Sequence, residues 1–482
     1  MSNPEERHVV TAVMRNGSKV LFLRRSEDVG SYTGRWSMVS GHIDDHLYGD
    51  ELDGGLEATE NREGVATVTD RVCDPDESDV KTAAENEIRE ELGIISEKLE
   101  HVKTGESFEV LDEDTGVRWI IHPILYETEL TEFDLNYENT DWVYRHPTAI
   151  FDLDTVPKLW TSYEKVAPTV ETVETDRRHG SSYLSIRALE VLRDGAAKEG
   201  IDELRRKAES LVEARPSMQV LANRVNRLMY RAFRDGDDED SGTDKEKLLD
   251  LAVEELERVH SADSDAASNA AEFLDDVVFT LSRSQTVTET LERACELRRI
   301  YVSKSCPGDE GVDVAGSLAR NPDVDGEVTL VPDSAAAWVA SKADALLVGA
   351  DTVLPDGRVV NKVGTYPASS VAQEKGCDVY VVTSRDKIYP WRDDASGTVE
   401  DGNLEREMAE ADDVLDITLE PGLGGENCER EGKKRMDGFS VESPMFETVP
   451  AENISGVVTE NGVIDEDDIK EVSREFWTYS DW

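Results

Sequence analysis

The sequence predicts an α/β protein built in consecutive parts: an α+β unit over 1–168, a helical stretch over 178–285, and a parallel-sheet unit over 286–482. Three observations predict it. Aromatic and β-branched residues crowd the chain before about residue 166, and helix-forming residues dominate from about 180 to 285. From Ile300 onward, short apolar runs alternate with helical pattern of crossover length, which is the signature of a parallel sheet. A chain of 482 residues with 38% hydrophobic content can build several packed cores, at about 100–200 residues per domain.

In the first part, Val9–Met14 and Lys19–Arg24 read as strands around the Asn16-Gly17 turn, a hairpin signal. Gly34-Arg35-Trp36 and Ser40-Gly41-His42-Ile43 follow. Thr82–Leu92 has helical character and stops at Gly93. Within it Glu87, Glu90 and Glu91 are three and four residues apart, so all three carboxylates can share one face. Such a face is either solvated acidic surface or a site for a hard divalent cation, Mg²⁺ or Mn²⁺, bridging to substrate phosphates.

In the last part the expected strands are Ile300–Ser303, Val328–Val331, Ala345–Val348, Val379–Thr383 and Ser455–Thr459. Ligands of such sheets bind beyond the carboxyl ends of the strands. Gly349-Ala350-Asp351 sits there, and Asn361-Lys362-Val363-Gly364 follows the Asp356-Gly357 turn. Asp351 suits acid–base work or a sugar hydroxyl, and Lys362 a phosphate, helped by backbone N–H groups near Gly364. The alternatives are a helix cap for Asp351 and a surface role for Lys362.

Composition limits the partners. Asp and Glu number 105 against 52 Lys and Arg, a formal net charge of -53. Direct binding to nucleic acid or an anionic membrane is excluded, because cationic side chains supply most of that affinity. Of the 52 basic residues 18 are Lys and 34 Arg, a lysine-poor acidic pattern that resembles proteins of salt-in halophilic archaea. Self-repulsion at this charge predicts unfolding in dilute buffer and screening by molar salt. Five cysteines without a CxxC pair, no apolar run of membrane length and no signal-peptide core predict a reduced, cytoplasmic protein. Acidic, Gly-containing stretches at about 44–78, 234–247 and 393–442 read as insertions or long loops.

Leu21–Arg25, Gly34–Trp36, Gly41–Ile43, the run Asn86–Ile94 and the strand-like Trp119–Glu127 together resemble the Nudix family, over about residues 7–168. The resemblance implies an α/β/α sandwich with a mixed sheet and Mg²⁺-dependent hydrolysis of a nucleoside diphosphate derivative. It assigns Glu87, Glu90 and Glu91 as metal and catalytic residues and puts Arg25 and Gly41 in the neighbouring loops. Asn86 stands where the signature has Arg, the signature's early Glu has no clean counterpart, and the 44–78 insertion lengthens the spacing.

Leu346–Tyr366, Arg215–Asn223, Tyr301–Gly311, Val331–Ala337 and Ser443–Pro450 resemble the family of initiation factor 2B α/β/δ subunits, over about residues 178–476. That family includes ribose-1,5-bisphosphate and methylthioribose-1-phosphate isomerases. The resemblance implies a helical part followed by a Rossmann-like part, a homodimer, and a ligand pocket of Arg215, Ser282, Asp351, Asn361 and Lys362. Ser282 stands near the isomerases' cysteine, His179-Gly180 at their Arg-Gly pair, and Cys306 at a family arginine, where a small buried packing role is expected. The combined expectation is a Nudix-type pyrophosphohydrolase coupled to a regulatory domain that binds a nucleotide or sugar phosphate, with a translation factor as a further candidate partner. The alternatives are a non-catalytic metabolite-sensing regulator related to initiation factor 2B, and a divergent isomerase of the ribose-1,5-bisphosphate type.

Overall fold

A computed structural model describes residues 6–29, 31–43, 75–111, 116–176, 178–216, 218–233, 245–295, 297–392, 435–436, 439–440 and 442–482. Most of the three acidic stretches therefore lies outside the described residues. The chain divides into two compact units, 1–168 and 169–482.

In the first unit β1 (Glu6–Asn16) turns into β2 (Lys19–Arg25) at Gly17, whose φ of 59° is the positive value a tight hairpin needs. Next come β3 (Trp36–Ser37), β4 (Val39–His42), helix α1 (Glu77–Leu92), β5 (Glu100–Thr104), β6 (Phe108–Leu111), β7 (Arg118–Glu127), β8 (Asn139–Arg145) and helix α2 (Leu159–Val166). The eight strands form one mixed sheet. β1 runs parallel to β7 and antiparallel to β4 and β2.

Successive strand side chains point to opposite faces, and both faces of this sheet are buried. Val10, Ala12 and Met14 pack with Val80, Ala84, Ile88 and Leu92 of α1; Val13, Val20 and Phe22 pack with Leu159, Tyr163 and Val166 of α2. Helix α1 begins five residues before the expected Thr82 because Asp76 and Asp79 form a reciprocal capping box.

The second unit opens with α3 (Val170–Thr175), α4 (Ser181–Lys198), α5 (Ile201–Ala214), α6 (Gln219–Phe233) and α7 (Lys245–Ala271). Leu189, Leu192, Leu204, Leu221, Leu228 and Leu256 form the centre of their common core. The parallel strands are β9 (Val277–Thr280), β10 (Arg299–Ser303), β11 (Glu327–Val331) and β12 (Ala345–Val348). After the short β13 (Thr352–Val353) and β14 (Val359–Lys362), they continue with β15 (Asp378–Val382) and, past β16 (Phe446–Val449), β17 (Gly456–Thr459). β18 (Gly462–Ile464) closes the edge antiparallel.

The order across this sheet is β11-β10-β9-β12-β15-β17-β18. Strand succession reverses between β9 and β12, and such a switch point opens a crevice at the carboxyl ends of the two strands. The expected helical stretch to 285 therefore ends early: β9 lies inside it and is central to the sheet. Its four residues are too short a run to stand out after a helix of 27. The α/β class with a parallel sheet is what the alternating pattern predicted. No helix among the described residues is long and apolar enough to cross a membrane.

Candidate functional site

At the switch point the loops after β9 and β12 touch. A Cβ added to Gly349 would lie 2.8 Å from Ser284 Oγ and 3.0 Å from Ser284 Cβ, so this position admits no side chain without moving the neighbouring loop. One residue on, the buried Ala350 carbonyl accepts 2.7 Å from Lys387 Nζ. Asp351, half-buried, is anchored by its N–H to the Val360 carbonyl of β14 at 2.9 Å.

On the β9 side Ser282 has φ of 67°, a left-handed conformation that non-glycine residues adopt mainly where surrounding structure enforces it. Its N–H donates to Ser305 Oγ at 2.7 Å. Ser305, also at positive φ, is fixed in turn by Asp333 at the end of β11. That carboxylate accepts from the Ser305 N–H at 2.7 Å, the Cys306 N–H at 2.8 Å and Ser303 Oγ at 2.6 Å.

The helical part supplies the other wall. Asp176 ties a turn by accepting from the Arg178 N–H, the His179 N–H and the His179 ring at 2.7 Å. Arg215, buried, donates Nη1 to the Asp176 carbonyl, and Arg283 Nη2 donates to the Arg178 carbonyl at 2.9 Å. This turn leads to Gly180, where α4 starts with no side-chain cap. Arg215 and Arg283 are thus brought to the same turn although 68 residues separate them in the chain.

Two expectations about phosphate contact change. Lys362 is buried and points back into the protein, 2.7 Å from Glu310 Oε1 and 2.6 Å from the Pro307 carbonyl. The N–H groups of Gly364 and Tyr366 both donate to Glu447, at 2.7 and 2.8 Å. That carboxylate already occupies the anion position at the start of helix α8 (Thr365–Lys375). Asn361 donates to Thr365 Oγ1 at 3.1 Å and shapes the same turn. Cys306, expected to be buried, is exposed, and partial burial with Asp309 and Asp333 nearby pushes its thiol up, away from thiolate.

A buried charge cluster that no sequence motif marks holds the β12 turn from below. Asp386, fully buried, accepts from Arg224 Nε at 2.8 Å, Arg227 Nη1 at 2.7 Å and Arg258 Nη2 at 2.7 Å. Despite burial, Arg227 and Arg224 hold its carboxyl below the usual range. Asn223 donates to the Asp386 and Ile388 carbonyls, each at 2.8 Å. No signal in the local sequence marks this turn; among the described residues only Lys362 and Lys387 of the scarce lysines are buried.

In the first unit Arg25, Gly41, Glu87 and Glu90 line a cleft of about 550 Å³. Glu87 lies so close over Gly41 that a Cβ there would come within 1.5 Å of its Oε1. Glu91 leaves this group. It is buried, accepting from the Ser40 N–H at 3.0 Å and Asn139 Nδ2 at 2.6 Å. Burial pushes its carboxyl up to about 8, against the lowering effect of those two donors. Among the described residues no group of three or more His, Cys, Asp or Glu side chains is placed to hold a metal ion, so the three-glutamate Mg²⁺ site does not fit.

Residues 177–466 match the model of the Initiation factor 2 subunit family. A ribose 1,5-bisphosphate isomerase of Haloterrigena turkmenica is 30% identical over 289 residues, covering 57% of this chain and 80% of the relative. One from Haloferax volcanii is 27% identical over 327 residues, covering 65% and 93%. A translation initiation factor eIF-2B subunit 2-like protein of Pyrococcus abyssi is 26% identical over 314 residues, covering 62% and 96%. These relatives carry the names of isomerases and an initiation-factor-like protein. The expectation of a Mg²⁺-dependent Nudix pyrophosphohydrolase is overturned by them, and the inward turn of Glu91 is the physical counterpart.

Proposed function

Because the chain belongs to the Initiation factor 2 subunit family, matched over more than half its length, we propose that its second unit binds a phosphorylated pentose at the β9/β12 switch point and isomerises it. The observation that carries this reading is the Gly349–Asp351 turn. It puts Asp351 just beyond the carboxyl end of β12, next to a carbonyl that Lys387 holds and against a loop that leaves room only for glycine. The isomerase names of the two haloarchaeal relatives support the substrate class.

Conversion to the ketose breaks the C1–O4 ring bond with a proton delivered to O4, moves a hydrogen from C2 to C1, and releases the O2 proton as the C2 carbonyl forms, so the proton O4 gains matches the one O2 loses. Asp351 is the group that takes the C2 proton and returns it to C1. Arg283, Arg178 and the uncapped N–H groups of α4 supply positive potential for the phosphate. Ser282 lines the opposite wall and, without an activating base, serves as a hydrogen-bond partner rather than a nucleophile.

Turnover of ribose 1,5-bisphosphate by the full chain in molar KCl tests the reading. Conversion that Asp351→Asn lowers by at least about a thousandfold, with affinity retained, supports it; equal rates in both proteins refute it. A second reading, a regulator that senses the sugar phosphate without converting it, is favoured by Ser282 in place of cysteine. Saturable binding with no turnover in the wild type would select it.

A further inference from the structure

Ring opening needs a proton for O4, and the forming ketose gives one up from O2. Asp351 is occupied with the hydrogen that moves from C2 to C1, and Ser282 has no base to activate it, so a third group must carry this proton. His179 has the geometry for it. Its ring Nδ1 lies 2.7 Å from Asp176 Oδ2, and its backbone N–H donates to Oδ1 of the same carboxylate at 3.0 Å. Burial works to raise the Asp176 carboxyl, but the His179 ring, its N–H and the Arg178 N–H together hold it below the usual range. An ionised carboxylate only accepts. Nδ1 therefore carries a proton whatever the charge of the ring, and Nε2 is the nitrogen that exchanges one.

The ring is stacked on Tyr183 of α4, with centroids 4.1 Å apart and planes 15° apart, and Arg187 lies over the Tyr183 ring at 4.7 Å. Among the described residues Nε2 meets no hydrogen-bond partner, and 24% of the side chain stays exposed. The turn borders the crevice. Arg283 Nη2 holds the Arg178 carbonyl, one residue before His179, and the next residue, Ser284, is the one that closes on Gly349. The charged and titratable groups around the imidazole are Asp176 and Arg178 on its own turn, Tyr183 and Arg187 on α4, Arg215 after α5 and Arg283 after β9.

We propose that His179 is the proton carrier of the isomerisation, a step that rests on the isomerase reading. As the C1–O4 bond breaks, its electron pair goes to O4, which takes the Nε2 proton of the imidazolium. Asp351 removes the C2 proton, and the pair left behind becomes the C1=C2 double bond. Neutral Nε2 then takes the O2 proton, the O2–H pair forms the C2 carbonyl, and the double-bond pair takes the proton back from Asp351 at C1. Both side chains end as they began. With the C1 phosphate on the uncapped N–H groups of α4, O4 and O2, each within two bonds of C1, lie at the end of the sugar nearest His179.

The test is turnover and calorimetric affinity of the full chain for ribose 1,5-bisphosphate in molar KCl, with His179→Asn and His179→Arg each first checked for a cooperative melt. Asn keeps a donor for Asp176 and Arg keeps a positive charge, but neither exchanges a proton near neutral pH. Both are expected to lower kcat by about 100–10,000-fold, with affinity within about fivefold. Wild-type kcat/KM is expected to fall as pH rises, because the imidazolium is the donor, and that limb is expected to be absent from the residual activity of the variants. A folded variant that keeps its kcat overturns the proposal while the isomerase reading stands. So does a loss confined to affinity, which marks a phosphate ligand, and so does a wild-type profile without the alkaline limb, which decides even if neither variant folds. A wild type that converts nothing overturns the isomerase reading and this step with it.

Discussion

Glu91→Gln is expected to stabilise the first unit at neutral and alkaline pH, the reverse of what removal of a metal ligand does. In the unfolded chain the carboxyl titrates near 4.5, and in the folded unit at about 8. Below about pH 4.5 it is protonated in both states and exacts no penalty. As pH rises through that value the unfolded state ionises first, so stability is lost progressively until about pH 8 and then levels off. The full span corresponds to about 5 kcal/mol, and at pH 7 the loss is already about 3 kcal/mol. Gln reproduces the neutral acid: its carbonyl accepts from the Ser40 N–H, and its amide donates to Asn139 once that side chain turns its oxygen inward. At pH 7 the variant's first-unit melting midpoint should lie roughly 6–12 °C above wild type, with the difference vanishing near pH 4. Differential scanning calorimetry between pH 4 and 9 in molar KCl reads this. A variant melting lower than wild type at pH 8, or a difference independent of pH, would show that burial does not hold the Glu91 carboxyl neutral.

Other outcomes follow from the second unit and the charge. Asp386→Ala leaves Arg224 and Arg227 buried without their shared acceptor; removing one partner of such a pair costs about 3–5 kcal/mol, read as an earlier second-unit melt, and an unchanged melt contradicts it. Gly349→Ala drives a Cβ into Ser284 and should weaken sugar-phosphate affinity by about tenfold or more, whereas Gly180→Ala, with nothing within 4 Å of the added Cβ, should cost only the roughly 0.5–1 kcal/mol of a poorer helix N-cap. With a formal net charge of -53, the melting midpoint should fall steeply between about 2 M and 0.1 M KCl as screening is withdrawn; a midpoint indifferent to salt contradicts the surface reading.

Local pattern made the strands legible almost residue by residue. Ala345–Val348 is a strand over those same residues, and Ile300–Ser303 gains only Arg299. What pattern does not contain is the order in which strands lie side by side, so the switch point and the central place of Val277–Thr280 came from the structure. Asp351 was legible because it follows an apolar strand directly. Lys362 was legible as a residue but not in its direction, since its partner Glu310 is 52 positions away. Helical spacing likewise treats Glu87, Glu90 and Glu91 alike; the turn of Glu91 toward Ser40 and Asn139 depends on two strands, β4 and β8, distant in the chain. Asp386 and Lys387 looked like ordinary members of a polar turn in a chain rich in charge, and only burial sets them apart.

Isomerisation at the β9/β12 crevice requires that it bind a phosphorylated pentose. Calorimetric titration of the full chain with ribose 1,5-bisphosphate in molar KCl, alongside Gly349→Leu, measures that binding. Saturable binding at one site per chain, abolished by the leucine while the protein still melts cooperatively, is expected. Heats equal to dilution in the wild type, or binding that survives a leucine at position 349, would contradict it.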